Sequence, residues 1–142
     1  MESIIRFTLL VSAALYMGWG LTLILAPDMG HSLISHGPYD PVTTAMLGAA
    51  MIGMMSMFVI AAYDPEREIV RAAATGLAVV GFTAAYLIFI TKGMPLRPTT
   101  VFSLLVDLGS AVILFLSEAR LDLRKQTKPK RPGSSMRRRA RT

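Results

Sequence analysis

The residue most able to do chemistry in this sequence is Asp107, whose carboxyl group interrupts an apolar run over residues 99–117. An acid at the centre of a membrane helix costs roughly 2.5–3.5 kcal/mol to insert, so it normally faces a partner or a polar cavity. Ser103 and Ser110 lie one helical turn before and after it and share its face. Asp107 could relay protons or cations, or accept hydrogen bonds from a polar ligand. The structural alternative is an acid hydrogen-bonded to one of these serines or to a hydroxyl group on a neighbouring helix.

Polar residues on other segments could reach the same depth as Asp107. The first apolar segment offers Tyr16, Trp19 and Thr22, and a later segment offers Thr83 and Tyr86. The ligand or relay site predicted from the sequence consists of Asp107, Ser103, Ser110, Tyr86 and Trp19.

The remaining reactive residues do not form a recognisable catalytic or metal-binding group. The chain contains no cysteine, which excludes disulfides, thiolate metal sites and thiol catalysis. Met51 and Met54 could offer thioethers to Cu(I), but methionine also fills apolar interfaces, and packing is the preferred interpretation. His31 and His36 are spaced to point to different sides of a helix, so we interpret them as polar contacts rather than ligands of one metal ion. We therefore predict a protein that is not an enzyme and holds no metal and no cofactor.

The elements that must position Asp107 are membrane helices. Of the 142 residues, 53% are hydrophobic, and the mean hydropathy is +0.51. A soluble domain of this size would have difficulty covering so much apolar surface. Apolar stretches long enough to cross the hydrocarbon core predict four spans, at residues 7–26, 42–63, 69–91 and 99–117. The predicted fold is an all-α, integral membrane four-helix transmembrane bundle at residues 1–117, with the first span retained rather than cleaved as a signal peptide.

Short motifs predict where the helices begin and end. The dipeptide Asp40-Pro41 is typical of an N-cap followed by the first helical position, and Asp64-Pro65 repeats the pattern. The dipeptide Lys92-Gly93 predicts a helix end. Residues 27–41 favour a short amphipathic helix on the membrane surface, in the first outer loop.

Small residues recur at four-residue intervals within the spans, which lets neighbouring helices approach closely. The helix-packing positions predicted from this spacing are Ala14, Gly18, Ala45, Ala49, Gly53, Ala72, Gly76, Gly81 and Ala85. We expect these small-residue faces to pack against the helices of other membrane protein subunits as well as against membrane lipids.

Residues 118–142 form a basic extension that contains most of the 15 lysines and arginines. Its basic residues are Arg120, Arg124, Lys125, Lys128, Lys130, Arg131, Arg137, Arg138, Arg139 and Arg141. Four spans place both ends on one side, and the positive-inside rule predicts that this side is cytoplasmic, in a bacterial inner membrane. The extension suits anionic lipid or an acidic surface of a partner protein. It lacks aromatic residues for stacking on bases, so we do not expect nucleic acid as its partner.

The layout of four short spans, a proline-broken first outer loop and a single acid, Asp107, in the last span resembles small bacterial membrane proteins of the DoxX-like kind. The resemblance covers residues 7–117 and implies a small helical bundle. Some members of that group are linked to quinone-associated redox complexes. The resemblance assigns no site residues to this chain.

The leading functional hypothesis is a non-enzymatic accessory or structural subunit of a larger membrane protein complex, for example an energy-converting one. The small-residue faces and the basic extension would take part in complex assembly. The alternative is a ligand-binding or transport bundle that holds a quinone, a lipid or a cation beside Asp107 in the outer half of the membrane. A third hypothesis is a membrane anchor whose basic extension recruits a soluble acidic partner or nucleic acid.

Overall fold

A computed structural model of the chain describes residues 2–127, with the side chains of residues 2–119. This part of the chain is helical, with no strand, and its five helices are α1 (Glu2–Leu25), α2 (Pro27–Ile34), α3 (Pro41–Tyr63), α4 (Arg67–Phe89) and α5 (Pro98–Thr127). Four stretches are long and apolar enough to cross a membrane, namely α1, α3, α4 and the Pro98–Ala119 part of α5. The predicted all-α, multi-pass membrane bundle is confirmed.

The predicted elements are found, although their ends differ from the apolar runs. The short helix predicted in the first outer loop is α2. The first helix begins at Glu2 and the last continues to Thr127, because nothing in the flanking polar residues stops a helix where the hydrocarbon ends. The predicted boundary between bundle and basic extension therefore falls within α5. Lys128 and the residues after it, including the basic residues predicted there, lie outside the described residues.

The two aspartate-proline motifs behave differently. Asp40 caps α3 as predicted, since its carboxylate accepts hydrogen bonds from the backbone N–H groups of Val42 and Thr43. The Thr43 hydroxyl also donates to it, and these bonds hold the pKa of Asp40 below its usual value. The same interpretation of Asp64 is wrong. Its own N–H bonds back to the Ile60 carbonyl at 3.0 Å, so it ends α3.

The fourth helix begins later and ends earlier than its dipeptides suggested. Glu66 is the N-cap residue of α4, and its side chain makes no capping hydrogen bond. The helix ends at Phe89, and the left-handed residue that follows is Lys92, with a φ of 54°. The Lys92-Gly93 prediction therefore located the turn but placed the helix end too late.

The bundle consists of two closely packed helix pairs. The backbones of α1 and α3 meet at Gly20 and Gly48: a Cβ atom on Gly48 would lie 2.9 Å from the Gly20 carbonyl oxygen. The pair α4 and α5 meets at Gly81, where a Cβ atom would lie 2.6 Å from Leu108 Cδ2. The pairs join where α1 also packs against α5, whereas α3 touches α4 over a small area.

An ion pair closes α4 on α5 at the end of the bundle that carries the N-terminus. Arg67 Nε lies 3.1 Å from Glu118 Oε1, and the Glu118 side chain is nearly buried. Since α4 begins at Arg67, this contact fixes the start of α4 against the C-terminal end of the apolar part of α5.

The predicted small-residue positions fall mostly on the outside of the bundle. Ala14, Gly18, Ala45, Ala49, Gly53 and Ala72 are exposed, Gly76 and Ala85 are half-buried, and Gly81 is buried. A Cβ atom on Gly18 or Gly53 would meet no atom within 4 Å. The close approach of α1 to α3 uses Gly20 and Gly48 instead. Packing between α1 and α3 thus uses a different face from the predicted positions on these two helices, and the expected packing of those positions against other subunits stays a prediction.

We predict that Gly48→Ala destabilises the protein relative to Gly53→Ala. Both substitutions gain the helix propensity of alanine, worth up to about 1 kcal/mol. Only the Gly48 methyl group would press on the opposing backbone, and overpacking of this kind costs about 1–3 kcal/mol. Thermal unfolding in mild detergent measures the difference, and equal stability of the two variants would show that the Gly20–Gly48 contact does not hold α1 on α3.

Candidate functional site

Asp107 lies between the two helix pairs, where α5 meets both α1 and α4. Only 5% of the residue is exposed. Behind it, a Cβ atom on Gly81 of α4 would lie 3.5 Å from Asp107 Cβ, so α4 closes that side. In front of it is the hydroxyl group of Tyr16 on α1, close enough for the two groups to interact electrostatically. The carboxyl group is therefore held inside the bundle and does not face lipid.

Tyr16 is positioned by α1 and α3 together. Its ring packs edge-on against Phe58 of α3, with ring centroids 5.2 Å apart and planes at 83°. Ser12, one turn earlier on the same face of α1, is completely buried. The buried face of α1 thus presents two hydroxyl groups to the bundle interior, of which the one of Tyr16 lies beside Asp107.

Trp19 and Ser103 join α1 to α5 one turn from Asp107. The Trp19 indole Nε1–H donates to Ser103 Oγ at 2.8 Å. The Ser103 hydroxyl in turn donates to the Thr99 carbonyl oxygen at 2.9 Å. Because this hydroxyl has one hydrogen, it is not available to donate to Asp107.

Three buried polar atoms in this region lack a complete hydrogen bond to any described residue: Asp107 Oδ1, Tyr16 Oη and Ser12 Oγ. Ser110 is also buried, but it does not bond to Asp107. The structural alternative, in which Ser103 or Ser110 satisfies Asp107, does not match these contacts. Of the hydroxyl groups on neighbouring helices, the one of Tyr16 lies beside the carboxyl group without completing a hydrogen bond.

A small cavity of about 70 Å³ lies beside these groups, and we call it the acid pocket. Its polar wall consists of Asp107, Tyr16, Trp19, Ser103 and Thr100, and apolar residues of all five helices and of the 90–97 connection complete it. Ile34 of α2 and Met94 line the end of the pocket nearest to the α2–α3 and α4–α5 connections. A hydrogen bond joins these two connections: the His36 N–H donates to the Gly93 carbonyl oxygen at 3.1 Å.

The structure brings together most, but not all, of the predicted site residues. The acid pocket is lined by Asp107, Ser103 and Trp19. Ser110 is buried one turn further along α5 and does not line the pocket. Tyr86 is 54% exposed and does not line the pocket. On α4, the pocket is lined instead by Val80 and Ala84, which share the inward face of the helix. Tyr86 lies on a different face.

The sequence interpretation missed Ser12, a buried hydroxyl group one turn from Tyr16 that does not itself line the pocket. Its spacing of one helical turn from Tyr16 is the signal that could have found it. Thr100 was missed as well, and no spacing rule marks it. Its hydroxyl donates to the Pro95 carbonyl oxygen at 2.8 Å and thereby orders the connection above the pocket.

His31, Met51 and Met54 make structural contacts within the described part of the chain. His31 Nε2 lies 3.0 Å from the Gly37 carbonyl oxygen, and its ring packs edge-on against Tyr39. Met51 and Met54 pack against the buried core. Among the described residues, no group of three or more His, Asp or Glu side chains is arranged to hold a metal ion.

The acid pocket offers one carboxyl group, one phenol and two further hydroxyl groups within apolar walls. No Lys, Arg or His side chain lines it. This set can accept hydrogen bonds from a donor or hold a cation.

We predict that Ser103→Ala frees the Trp19 indole. A half-buried N–H group without an acceptor costs about 0.5–1.5 kcal/mol, so the protein should unfold at lower temperature. Because Trp19 is the single tryptophan of the chain, its fluorescence maximum should shift as well. The control is Ser56→Ala, which removes a hydroxyl group that bonds within α3. An unchanged spectrum in Ser103→Ala would show that this bond does not form in the membrane.

Evidence on the function of this chain comes from the geometry of the acid pocket and not from similarity to known proteins. No protein-family model matches the chain, and no curated protein and no solved structure is significantly similar to it. The chain is a four-span membrane bundle with an acid buried between its two helix pairs.

Proposed function

We propose that this protein binds the polar head group of a small ligand in the acid pocket, in the outer half of a bacterial inner membrane, with both chain ends in the cytoplasm. The observation that carries the proposal is a pair of neighbouring buried groups, Asp107 Oδ1 and Tyr16 Oη, which interact with each other but lack the geometry of a full hydrogen bond. The positive-inside bias of the sequence supports the orientation.

The energetic cost of this arrangement supports a binding role. A buried polar group without a partner costs roughly 1–3 kcal/mol, and more when it is charged. An apolar residue at position 107 would avoid this cost. A ligand that donates hydrogen bonds to the carboxyl group would recover it, which makes Asp107 a binding group rather than a packing group.

The chemistry of the walls limits the ligand. With no basic side chain in the pocket, an anionic head group would meet an uncompensated carboxyl group, whereas a cationic or hydrogen-bond-donating one would be stabilised. The volume of about 70 Å³ is much smaller than the roughly 300–1,000 Å³ of sites that enclose a drug-sized ligand. The pocket therefore suits a head group only, and the body of the ligand must lie elsewhere.

Replacement of Asp107 tests this function. We expect Asp107→Asn to weaken the binding of a long-chain alkylamine tenfold or more, because hydrogen bonds to a charged group contribute about 1.5–3 kcal/mol. Binding is measured in lipid nanodiscs by quenching of Trp19 fluorescence with a terminally brominated alkylamine. The matched control is Asp40→Asn, an exposed N-cap acid for which asparagine is an equivalent cap.

Two results would reject this function. The first is a wild-type protein that shows no saturable quenching by the amine beyond that caused by its partition into lipid. The second is Asp107→Asn protein that folds normally and binds the amine as tightly as the wild type.

A second candidate function is that of an accessory subunit in a larger membrane complex. The observation that favours it is the outer face of α3. Ala45, Ala49 and Gly53 form an exposed small-residue face on which no helix of the described chain packs. Such a face allows close approach of another helix. The DoxX-like resemblance, with its link to quinone-associated complexes, and the basic extension are compatible with this role.

We expect Ala49→Leu to release the chain from such a complex. The control is Ala50→Leu, the same exchange at an exposed position turned about 100° around α3. Native mass spectrometry of the tagged protein, extracted in mild detergent, gives the mass of each assembly. Loss of the larger species in Ala49→Leu alone supports the role, and a lone monomer in the wild type opposes it.

A further inference from the structure

A second cavity lies next to the acid pocket, on the lipid side of α1 and α5. It has a volume of about 340 Å³, and we call it the lateral groove. Its walls include Ala14, Gly18 and Thr22 of α1, Met29 and Leu33 of α2, and Phe102 of α5. These walls are mostly apolar, so the groove suits a hydrocarbon chain.

The lateral groove is open to the surroundings of the bundle. Phe102 and Met29 at its rim are 61% and 59% exposed. The floor is formed by small residues, and a Cβ atom on Gly18 would meet no protein atom within 4 Å. Of the three helices that border the groove, α1 and α5 are long and apolar enough to lie in the membrane, whereas α2 has only eight residues. The part of the opening between α1 and α5 therefore faces lipid.

The lateral groove and the acid pocket share three lining residues: Leu15, Trp19 and Ser103. The indole ring of Trp19, held by its 2.8 Å hydrogen bond to Ser103 Oγ, is thus part of the wall between the two cavities. A neutral hydrogen bond contributes to holding the ring in this position. A change in the side-chain rotamer of Trp19 would join a lipid-facing groove to a cavity that contains a buried carboxyl group.

Building on the proposed function, we propose that the ligand is a long-chain amphiphile with a cationic, hydrogen-bond-donating head group, and that it reaches Asp107 from the lipid through the lateral groove, past Trp19. The head group enters the acid pocket, while the aliphatic chain remains in the groove.

Three features of the cavities support this ligand class. Neither cavity has a Lys, Arg or His side chain in its wall, which disfavours an anionic lipid. The unsatisfied Asp107 Oδ1 is positioned to accept from an ammonium or hydroxyl group, with Tyr16 Oη beside it. The volumes match this division, since the acid pocket is head-group sized and the groove is chain sized.

The test fills the groove without touching the acid pocket. Gly18→Leu places a side chain where no protein atom lies, so the fold should accept it. The matched control is Gly53→Leu, an exposed helical glycine of α3 with equally open space. Both variants and the wild type are placed in nanodiscs of zwitterionic lipid and titrated with the brominated alkylamine. Trp19 quenching is recorded, and bound amine is counted independently by native mass spectrometry.

We expect Gly18→Leu to raise the half-saturating amine concentration at least tenfold and Gly53→Leu to leave it unchanged. A brominated alkanoic acid of the same chain length should show no saturable quenching of the wild type. The mass-spectrometric count separates lost binding from shielding of Trp19 by the new leucine. If Gly18→Leu does not fold, Ala14→Leu blocks the same groove from an exposed position.

The outcomes separate this inference from the proposed function. If the amine binds with normal affinity to folded Gly18→Leu protein but not to Asp107→Asn protein, the acid pocket is the site, and access through the groove is overturned. If the alkanoic acid binds as well as the amine, the assigned ligand class is wrong. If neither probe binds the wild type, both the inference and the proposed function are rejected.

Discussion

The structure is organised around the cost of keeping a carboxyl group inside an apolar bundle. Asp107 cannot be left in hydrocarbon, and a lipid-facing position would expose it to the full insertion penalty. The bundle places it at the junction of both helix pairs, with Gly81 of α4 behind it and Tyr16 of α1 before it. This burial removes the acid from lipid but does not satisfy it, which is why the region around it is a pocket rather than a closed core.

Glycine contacts explain why a pocket can exist at this junction. The Gly20–Gly48 crossing holds α1 on α3, and Gly81 brings α4 onto α5, so each pair is tightly packed. The contact between the pairs, through α1 and α5, is less extensive. It is made by larger side chains, Tyr16 and Trp19, which leave space between them. The acid pocket and the lateral groove both lie along this looser contact.

The two proposed roles use different surfaces and different physical interactions. Ligand binding depends on the α1–α5 contact and on hydrogen bonds in a region shielded from water, where they are electrostatically strong. Assembly with other subunits would depend on the outer face of α3, where the small residues Ala45, Ala49 and Gly53 permit van der Waals contact between backbones. A substitution on one surface therefore leaves the other intact, and one protein could perform both roles.

The sequence by itself determined the features that arise from local chemistry. Hydropathy identified four spans, the Asp40-Pro41 pair identified a capped helix start, and a lone acid in an apolar run identified Asp107 as the centre of the candidate site. The tertiary structure decided which face of each helix turns inward. It placed Tyr16 and Ser12 inside and Tyr86 outside, and it used Gly20 rather than Gly18 for close packing. The reason is that α1 and α3 are apolar around their whole circumference, so lipid and protein interior are equally acceptable to most of their side chains, and contacts between helices set the rotation of each helix about its axis.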